Sequence, residues 1–260
     1  MAKKAAYRAG EFLLNNLDET SEIHYKGKGH YNPFSQIDKK SEAIIIDIIS
    51  SAFPEHNFIS EERGKKITAS DYTWVIDPLD GTINFIHKYR YFSVSISLLY
   101  QDEVIVGVVY NPLVNEMFTA VKDKGTYLNE KRIKVSKTVS LDKSLLAMGF
   151  PYDRNSEAFR QSIKNFVRLL RESQALRRDG STALDLCSVA CGRYDGFSIT
   201  GNEVWDYAAG TLIVTEAGGK VTDFKGNPFH MYNKANEVLA TNGKIHELIV
   251  NCFVEEELHE

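Results

Sequence analysis

The sequence predicts a mixed fold, α+β in its first half and α/β in its second. Three observations predict it. Between residues 92 and 135, β-branched and aromatic runs follow one another through tight polar connections, the pattern of an antiparallel meander. Ahead of them lie two helical patterns that can pack on such a sheet. From residue 145 onward, short strands alternate with helical segments. The pattern changes near 138–145, so an N-terminal lobe, 1–140, and a C-terminal lobe, 141–260, are expected.

Taken in order, residues 3–17 place Ala6, Gly10, Leu13, Leu14 and Leu17 at helical spacing. The polar, Gly-containing YKGKGHYNPFSQ, 25–36, reads as an exposed loop or hairpin. SEAIIIDIISSAF, 41–53, predicts a helix capped by Ser41 and ended by Pro54. Strands follow at 56–59, 73–76, 92–100, 103–111, 117–121 and 125–135, the last turning near Asn129-Glu130. In the second half, 145–151 is a strand and 156–172 a helix with Phe159, Ile163, Phe166, Val167 and Leu170 on one face. A helix over 180–192 ends at Gly192, and YDGFSI is a strand. The helix over 205–219 ends at Gly218-Gly219. KVTDF, EVLATN and a helix from Gly243 complete the chain, which has no internal repeat.

The composition, 43% hydrophobic and 25% charged, is that of a soluble globular protein. A net charge of -4 offers no electrostatic footprint for nucleic acid, and the short run Lys131, Arg132, Lys134 reads as a solvated hairpin. Cys187, Cys191 and Cys252 are too few for a disulfide framework and fit a reducing compartment. Cys187 and Cys191 share a helix face as buried, inert thiols, with no His or Cys nearby to complete a metal site. MAKKAAYRAGEFLL lacks the apolar run of a signal, and no stretch approaches membrane-helix length, so a cytoplasmic protein is expected.

Three acidic positions stand at the ends of apolar segments: Glu61-Glu62, Asp77 with Asp80, and Asp206. A strand end can aim a carboxylate rigidly. In WVIDPLDGTINF, Pro78 fixes its own φ and pushes Asp77 towards an extended backbone. The turn can thus direct Asp77, Asp80 and the Leu79 carbonyl at one point. Converging carboxylates repel unless a cation neutralises them, and an all-oxygen set selects Mg²⁺ before Zn²⁺. A helix starting after Asp80 would point the Gly81 and Thr82 amides at a phosphate. Together these features suggest metal-assisted phosphoester hydrolysis. Taken singly, each has a plainer reading. Asp-Pro-x-Asp-Gly is common turn grammar, Glu61-Glu62 beside Arg63 suits a solvated loop, and Asp206 suits a helix dipole. Trp74 and Trp205, beside these acids, suit either a site wall or core filling.

The pieces SEERG, WVIDPLDGTINFIH and EVWDYAAGTLIVTEAGG, in this order, resemble the inositol monophosphatase family of Mg²⁺-dependent, lithium-sensitive phosphatases over nearly the whole chain. The resemblance implies an αβαβα layered sandwich with the active site between two lobes, and a homodimer. It implies that two or three Mg²⁺ are held by Glu61, Asp77, the Leu79 carbonyl, Asp80 and Asp206, with Asp80 bridging two of them. It further implies that Thr82 and Glu61 position and activate the nucleophilic water, with Asp38 in support, for direct attack on phosphorus. Asp80 and the Gly81 and Thr82 amides would bind the phosphate, and Gly180, Ser181 and Thr182 would meet the sugar or inositol ring. GTINFIH resembles the inositol monophosphatase branch more than the nucleotide or histidinol-phosphate branches.

Two positions depart from that branch. Ile199 stands where it carries a Glu that contacts an inositol hydroxyl, with Glu203 a candidate stand-in, and Asn32-Pro33 stands where it usually has an Asp. Arg177 and Arg178 suit either a second substrate phosphate or plain surface cations. The leading expectation is hydrolysis of inositol monophosphates. Fructose 1,6-bisphosphatase activity, alone or dual, is the enzyme alternative, ahead of a 3′-phosphoadenosine phosphatase. The alternative of another class is a non-catalytic regulatory protein that binds transcription machinery.

Overall fold

The computed structural model describes residues 1–18, 23–25, 33–231 and 237–254. Of the loop expected at 25–36, residues 26–32 lie outside this set, Asn32 among them. The chain opens with α1 (Ala2–Asn15), β1 (Ile23–Tyr25), β2 (Pro33–Ser35) and α2 (Gln36–Ala52). The strands β3 (Asn57–Ser60), β4 (Gly64–Lys66) and β5 (Tyr72–Asp80) follow, then the one-turn helix α3 (Thr82–Ile86). The meander comprises β6 (Ser93–Tyr100), β7 (Glu103–Asn111), β8 (Glu116–Val121), β9 (Gly125–Leu128) and β10 (Lys131–Arg132). The second half runs β11 (Leu145–Met148), α4 (Glu157–Glu172), β12 (Ala175–Arg177), α5 (Thr182–Ala190), β13 (Gly196–Ile199) and α6 (Val204–Glu216). It ends with β14 (Lys220–Thr222), β15 (Val238–Thr241) and α7 (His246–Val254).

These elements stack in five layers. An eight-stranded sheet has the order β10-β9-β8-β7-β6-β5-β3-β4, and a five-stranded sheet the order β12-β11-β13-β15-β14. All pairs in the large sheet are antiparallel except β3 with β5, which are parallel. In β5 the pleat sends Trp74 and Ile76 to one face and Val75 to the other. Trp74 and Ile76 join Ala5, Ala9, Ile45 and Ile49 of α1 and α2. Val75 joins Leu186 of α5 and Ala209 and Ile213 of α6. The small sheet repeats the device: Ala147 and Phe197 face α5 and α6, while Leu146 and Met148 face Leu169 of α4 and Ile249 of α7. The layers are therefore α1/α2, large sheet, α5/α6, small sheet, α4/α7, as the resemblance implied. Each fully buried Ile or Leu in these layers contributes about 1.5–3 kcal/mol.

Helix α6 is apolar nearly all round because sheets cover it on both sides. Its Gly210 sits against α5, where a Cβ would lie 2.4 Å from Leu186 Cδ1.

Several expectations need correction. Helix α2 begins at Gln36, not at Ser41. Its cap is Ser35, whose hydroxyl accepts from the Ile37 N–H at 3.1 Å while its own N–H donates to Asp38 Oδ2 at 2.8 Å, a capping box. Ser41 is buried and donates to the Pro78 carbonyl at 2.8 Å. The segment expected at 125–135 does turn near Asn129-Glu130, but its second strand ends at Arg132, and β4 and β12 lacked the apolar runs that would have announced them. On α4, Leu169 faces the small sheet, but Ile163, Val167 and Leu170 are exposed as a stripe at helical spacing. Cys187 is buried as expected, whereas Cys191 is half-buried.

Candidate active site

The acids meet where β5 ends. Strict strand alternation would send Asp77 and Asp80, three residues apart, to opposite faces of the sheet. The pairing with β6 moves from Asp77–Ser95 to Asp80–Ser93, so β5 gains one residue over its partner. This bulge at Pro78 turns both carboxylates to one side. Both line a cavity of about 560 Å³, together with Glu61 at the end of β3 and Asp206 in the first turn of α6. Leu79, Gly81, Thr82, Gly180, Ser181 and Thr182 line it as well. Every residue proposed for the site except Asp38 therefore reaches this cavity, and Asp38 lies behind Thr82. The Thr82 hydroxyl is 3.2 Å from Asp38 Oδ1 and 3.0 Å from the Leu79 carbonyl, so it donates to that pair.

Asp80 is held by a clamp of donors. The Thr182 N–H donates to Oδ1 at 3.0 Å, and the Ala183 N–H donates to Oδ2 at 3.0 Å. The Ser93 hydroxyl at 3.1 Å and the Ser181 hydroxyl also donate to Oδ2. Ser181 and Thr182 thus orient an acid in this structure. Asp77 Oδ1 accepts from the Leu79 N–H at 3.0 Å, and Asp206 Oδ2 from the Glu203 N–H at 3.0 Å.

Burial and mutual charge disfavour ionisation here. Burial, then Glu61, Asp80 and Asp206, hold the Asp77 carboxyl well above the usual range. Burial, then Glu61 and Asp80, do the same for Asp206. Burial raises Asp80 to about 6 even though four hydrogen bonds oppose the shift. Among the described residues, no three acid, His or Cys side chains are already gathered at ligating distance. What the cavity offers is a set of mutually repelling carboxylates, Asp77 and Asp80 buried and Glu61 and Asp206 half-buried, and a hard divalent cation is the group that relieves such a set. Glu61, Asp77, Asp80, Asp206 and the Leu79 carbonyl supply the all-oxygen donors that it needs.

The loop after β5 is built for close approach. Gly81 has φ +93°, and a Cβ there would lie 3.1 Å from the Tyr91 carbonyl oxygen, so only glycine fits. Asn84 ties α3 to the second half by donating to the carbonyls of Tyr91 at 2.7 Å and Asp179 at 2.8 Å.

Of the tryptophans, Trp205 lines the cavity, but Trp74 does not. Trp74 is buried in the α1/α2 layer, and its indole N–H donates to His56 Nδ1 at 3.1 Å. Arg178 lines the cavity, whereas Arg177 turns back to the Leu176 carbonyl at 3.2 Å. Ile199 and Glu203 both line it. Sequence reasoning missed Tyr152, Asn202 and Asp185 in the wall. Asp185 accepts from the Tyr91 hydroxyl at 2.9 Å, and burial raises its carboxyl well above the usual range. A single charged residue in the buried helix 182–190 was the signal that could have found it.

Known proteins resemble this chain in sequence and fold. The chain is similar to an inositol-1-monophosphatase of Synechocystis, 43% identical over 95% of this chain and 85% of that protein. It is 41% identical to the Nus factor SuhB of Escherichia coli K12, over 94% of this chain and 91% of that protein. The solved inositol monophosphatase of Anabaena superposes with a TM-score of 0.87 at 39% identity, covering 98% of this chain and 94% of that one. The profile of the inositol monophosphatase family matches residues 1–258, and the chain belongs to that family.

Proposed function

We propose that this protein is a Mg²⁺-dependent phosphate monoester hydrolase that acts on inositol monophosphates and releases inositol and phosphate. The observation that carries the reading is the convergence of Glu61, Asp77, Asp80 and Asp206 on one cavity beside the Gly81-Thr82 backbone. Bound there, Mg²⁺ would lower the pKa of the attacking water and steady the leaving oxygen. The chain's own residues do the rest. The Thr82 hydroxyl donates its hydrogen bond to Asp38 and the Leu79 carbonyl, which leaves the Thr82 oxygen free to accept from a water. Glu61, which lines the same cavity, is the carboxylate that would orient this water and accept its proton as general base. The Gly81 and Thr82 amides hold the phosphate. The α5 clamp keeps Asp80 in place between its neighbours. Attack is direct, and no residue is phosphorylated.

Two observations favour a second reading, fructose 1,6-bisphosphatase activity, alone or dual. Arg178 brings a cation into the cavity, and Ile199 puts an apolar wall where the inositol branch has an acid. A regulatory reading draws on the relatives named Nus factor SuhB. Phosphate release from inositol 1-phosphate, fructose 1,6-bisphosphate, 3′-phosphoadenosine phosphate and NADP, with and without Mg²⁺, separates these. Fastest Mg²⁺-dependent release from the inositol ester supports the first reading. Fastest release from the fructose ester supports the second, and no turnover of any ester supports the regulatory one. We further propose a cytoplasmic homodimer. Light scattering that gives a monomer mass contradicts the dimer. No described helix is long and apolar enough to cross a membrane.

A further inference from the structure

Helix α2 buries a polar face that ordinary packing does not require. Asp38, Ser41 and Glu42 lie at i, i+3 and i+4 on that face, and all three are buried. Each reaches a different segment of the acid cluster. Asp38 receives Thr82, Ser41 donates to the carbonyl of Pro78 in the β5 bulge, and Glu42 Oε2 accepts from the Glu62 N–H at 2.8 Å. Glu42 Oε1 also lies 3.5 Å from Arg63 Nε.

Glu42 is fully buried, at 0% exposure. A buried carboxylate is costly unless it is well paired, and an aliphatic residue would pack here without that cost. What Glu42 adds is geometry. The Glu62 N–H belongs to the rigid 61–62 peptide plane, so anchoring it fixes the backbone torsion that follows the Glu61 Cα. That torsion sets how β3 hands over to the turn from which Glu61 enters the cavity. The Glu61 N–H, bonded to the Ile76 carbonyl at 3.3 Å, fixes the other side of the same residue. Glu61 is thus held between β5 and α2.

We infer that Glu42 is a positioning residue, which acts through the backbone of residues 61–63 to hold Glu61 in place for the metal. The inference rests on the metal-site reading above, in which Glu61 is a ligand. The buried polar face of α2 then acts as one template that sets Glu61, the β5 bulge and Thr82 relative to each other.

The test is Mg²⁺ binding by titration calorimetry on the full chain, for wild type, Glu42→Ala, Glu42→Asp, Glu61→Gln and the double variant Glu42→Ala/Glu61→Gln. Glu42→Asp keeps the buried charge but withdraws the carboxylate by one methylene, so it carries the test if Glu42→Ala fails to fold. Both Glu42 variants are expected to weaken Mg²⁺ binding about 10-fold, the usual scale for a group that supports a metal ligand. The double variant is expected to bind no more weakly than Glu61→Gln, because Glu42 acts only through Glu61. Wild-type Mg²⁺ affinity in the Glu42 variants, even with a lowered melting temperature, overturns the inference and leaves Glu42 a structural brace. Losses that multiply in the double variant also overturn it. Unchanged affinity in Glu61→Gln overturns the metal-site reading and this inference with it.

Discussion

Asp80→Asn separates catalysis from stability at a single atom. The aspartate accepts four hydrogen bonds, three on Oδ2 and one on Oδ1. The Asn amide therefore fits best with its oxygen in the Oδ2 place and its NH₂ facing the Thr182 N–H. That orientation loses one hydrogen bond to a charged group, about 1.5–3 kcal/mol. Against this, the variant no longer ionises a buried carboxyl. Burial pushes that carboxyl from 3.8 to about 6, and at about 1.4 kcal/mol per unit the ionised form costs roughly 3 kcal/mol at neutral pH. The two terms are of similar size and opposite sign. The metal-free variant is predicted to melt within about 5 °C of wild type, since 1 kcal/mol moves a domain of this size by roughly 2–4 °C. Activity has no such offset. A neutral group at this position, among the carboxylates proposed to hold the metal, is predicted to lower kcat by about 10²-fold or more. The assay pairs calorimetric melting in EDTA with phosphate release at saturating Mg²⁺. A wild-type kcat refutes the metal-site reasoning, and a collapse in melting temperature refutes the energetic balance.

Other predictions rest on other parts of the chain. Ile199→Glu is predicted to raise the preference for inositol 1-phosphate over fructose 1,6-bisphosphate by about 10-fold or more, because the position lines the cavity where an acid can read a hydroxyl; an unchanged kcat/KM ratio would show that it does not read the polyol. His246 is buried between the Thr222 and Thr241 hydroxyls, each 2.9 Å away, and burial with nearby Lys220 lowers its pKa from 6.5 to about 4. Its unfolded form takes up a proton first, so it contributes stability above pH 6.5 that is lost as pH falls towards 4, at most about 3 kcal/mol. His246→Asn should remove that part of the pH dependence, which appears as the difference between the melting curves of variant and wild type. Gly210→Ala should cost about 1–3 kcal/mol in urea unfolding, because its Cβ would overlap Leu186 at 2.4 Å.

Much of this structure was legible in the residues. The β-branched runs of β6 and β7 and the alternating second half announced the two sheets, because strand and helix periods depend on burial that the sequence itself records. The acids were legible for a related reason: Asp77, Asp80, Glu61 and Asp206 each end an apolar segment, so a carboxylate there interrupts a pattern. What was hidden depends on distant partners. Helix α2 starts at Gln36 because Ser35 and Asp38 cap each other, while the Ser41 hydroxyl goes to Pro78, 37 residues away. Trp74 lies three residues before Asp77 and Trp205 directly before Asp206, yet strand alternation buries Trp74 in a different layer. The α5 clamp on Asp80 joins residues more than 100 apart, and no local pattern reports it. Ile163, Val167 and Leu170 read as core because periodicity shows an apolar face without showing what covers it.

The most direct test of the account is phosphate release from inositol 1-phosphate by the purified protein, stripped of divalent cations and then titrated with Mg²⁺. Negligible release is expected after stripping, with recovery to a plateau as Mg²⁺ is restored. Release that is indifferent to Mg²⁺, or no release at any Mg²⁺ concentration, would contradict it.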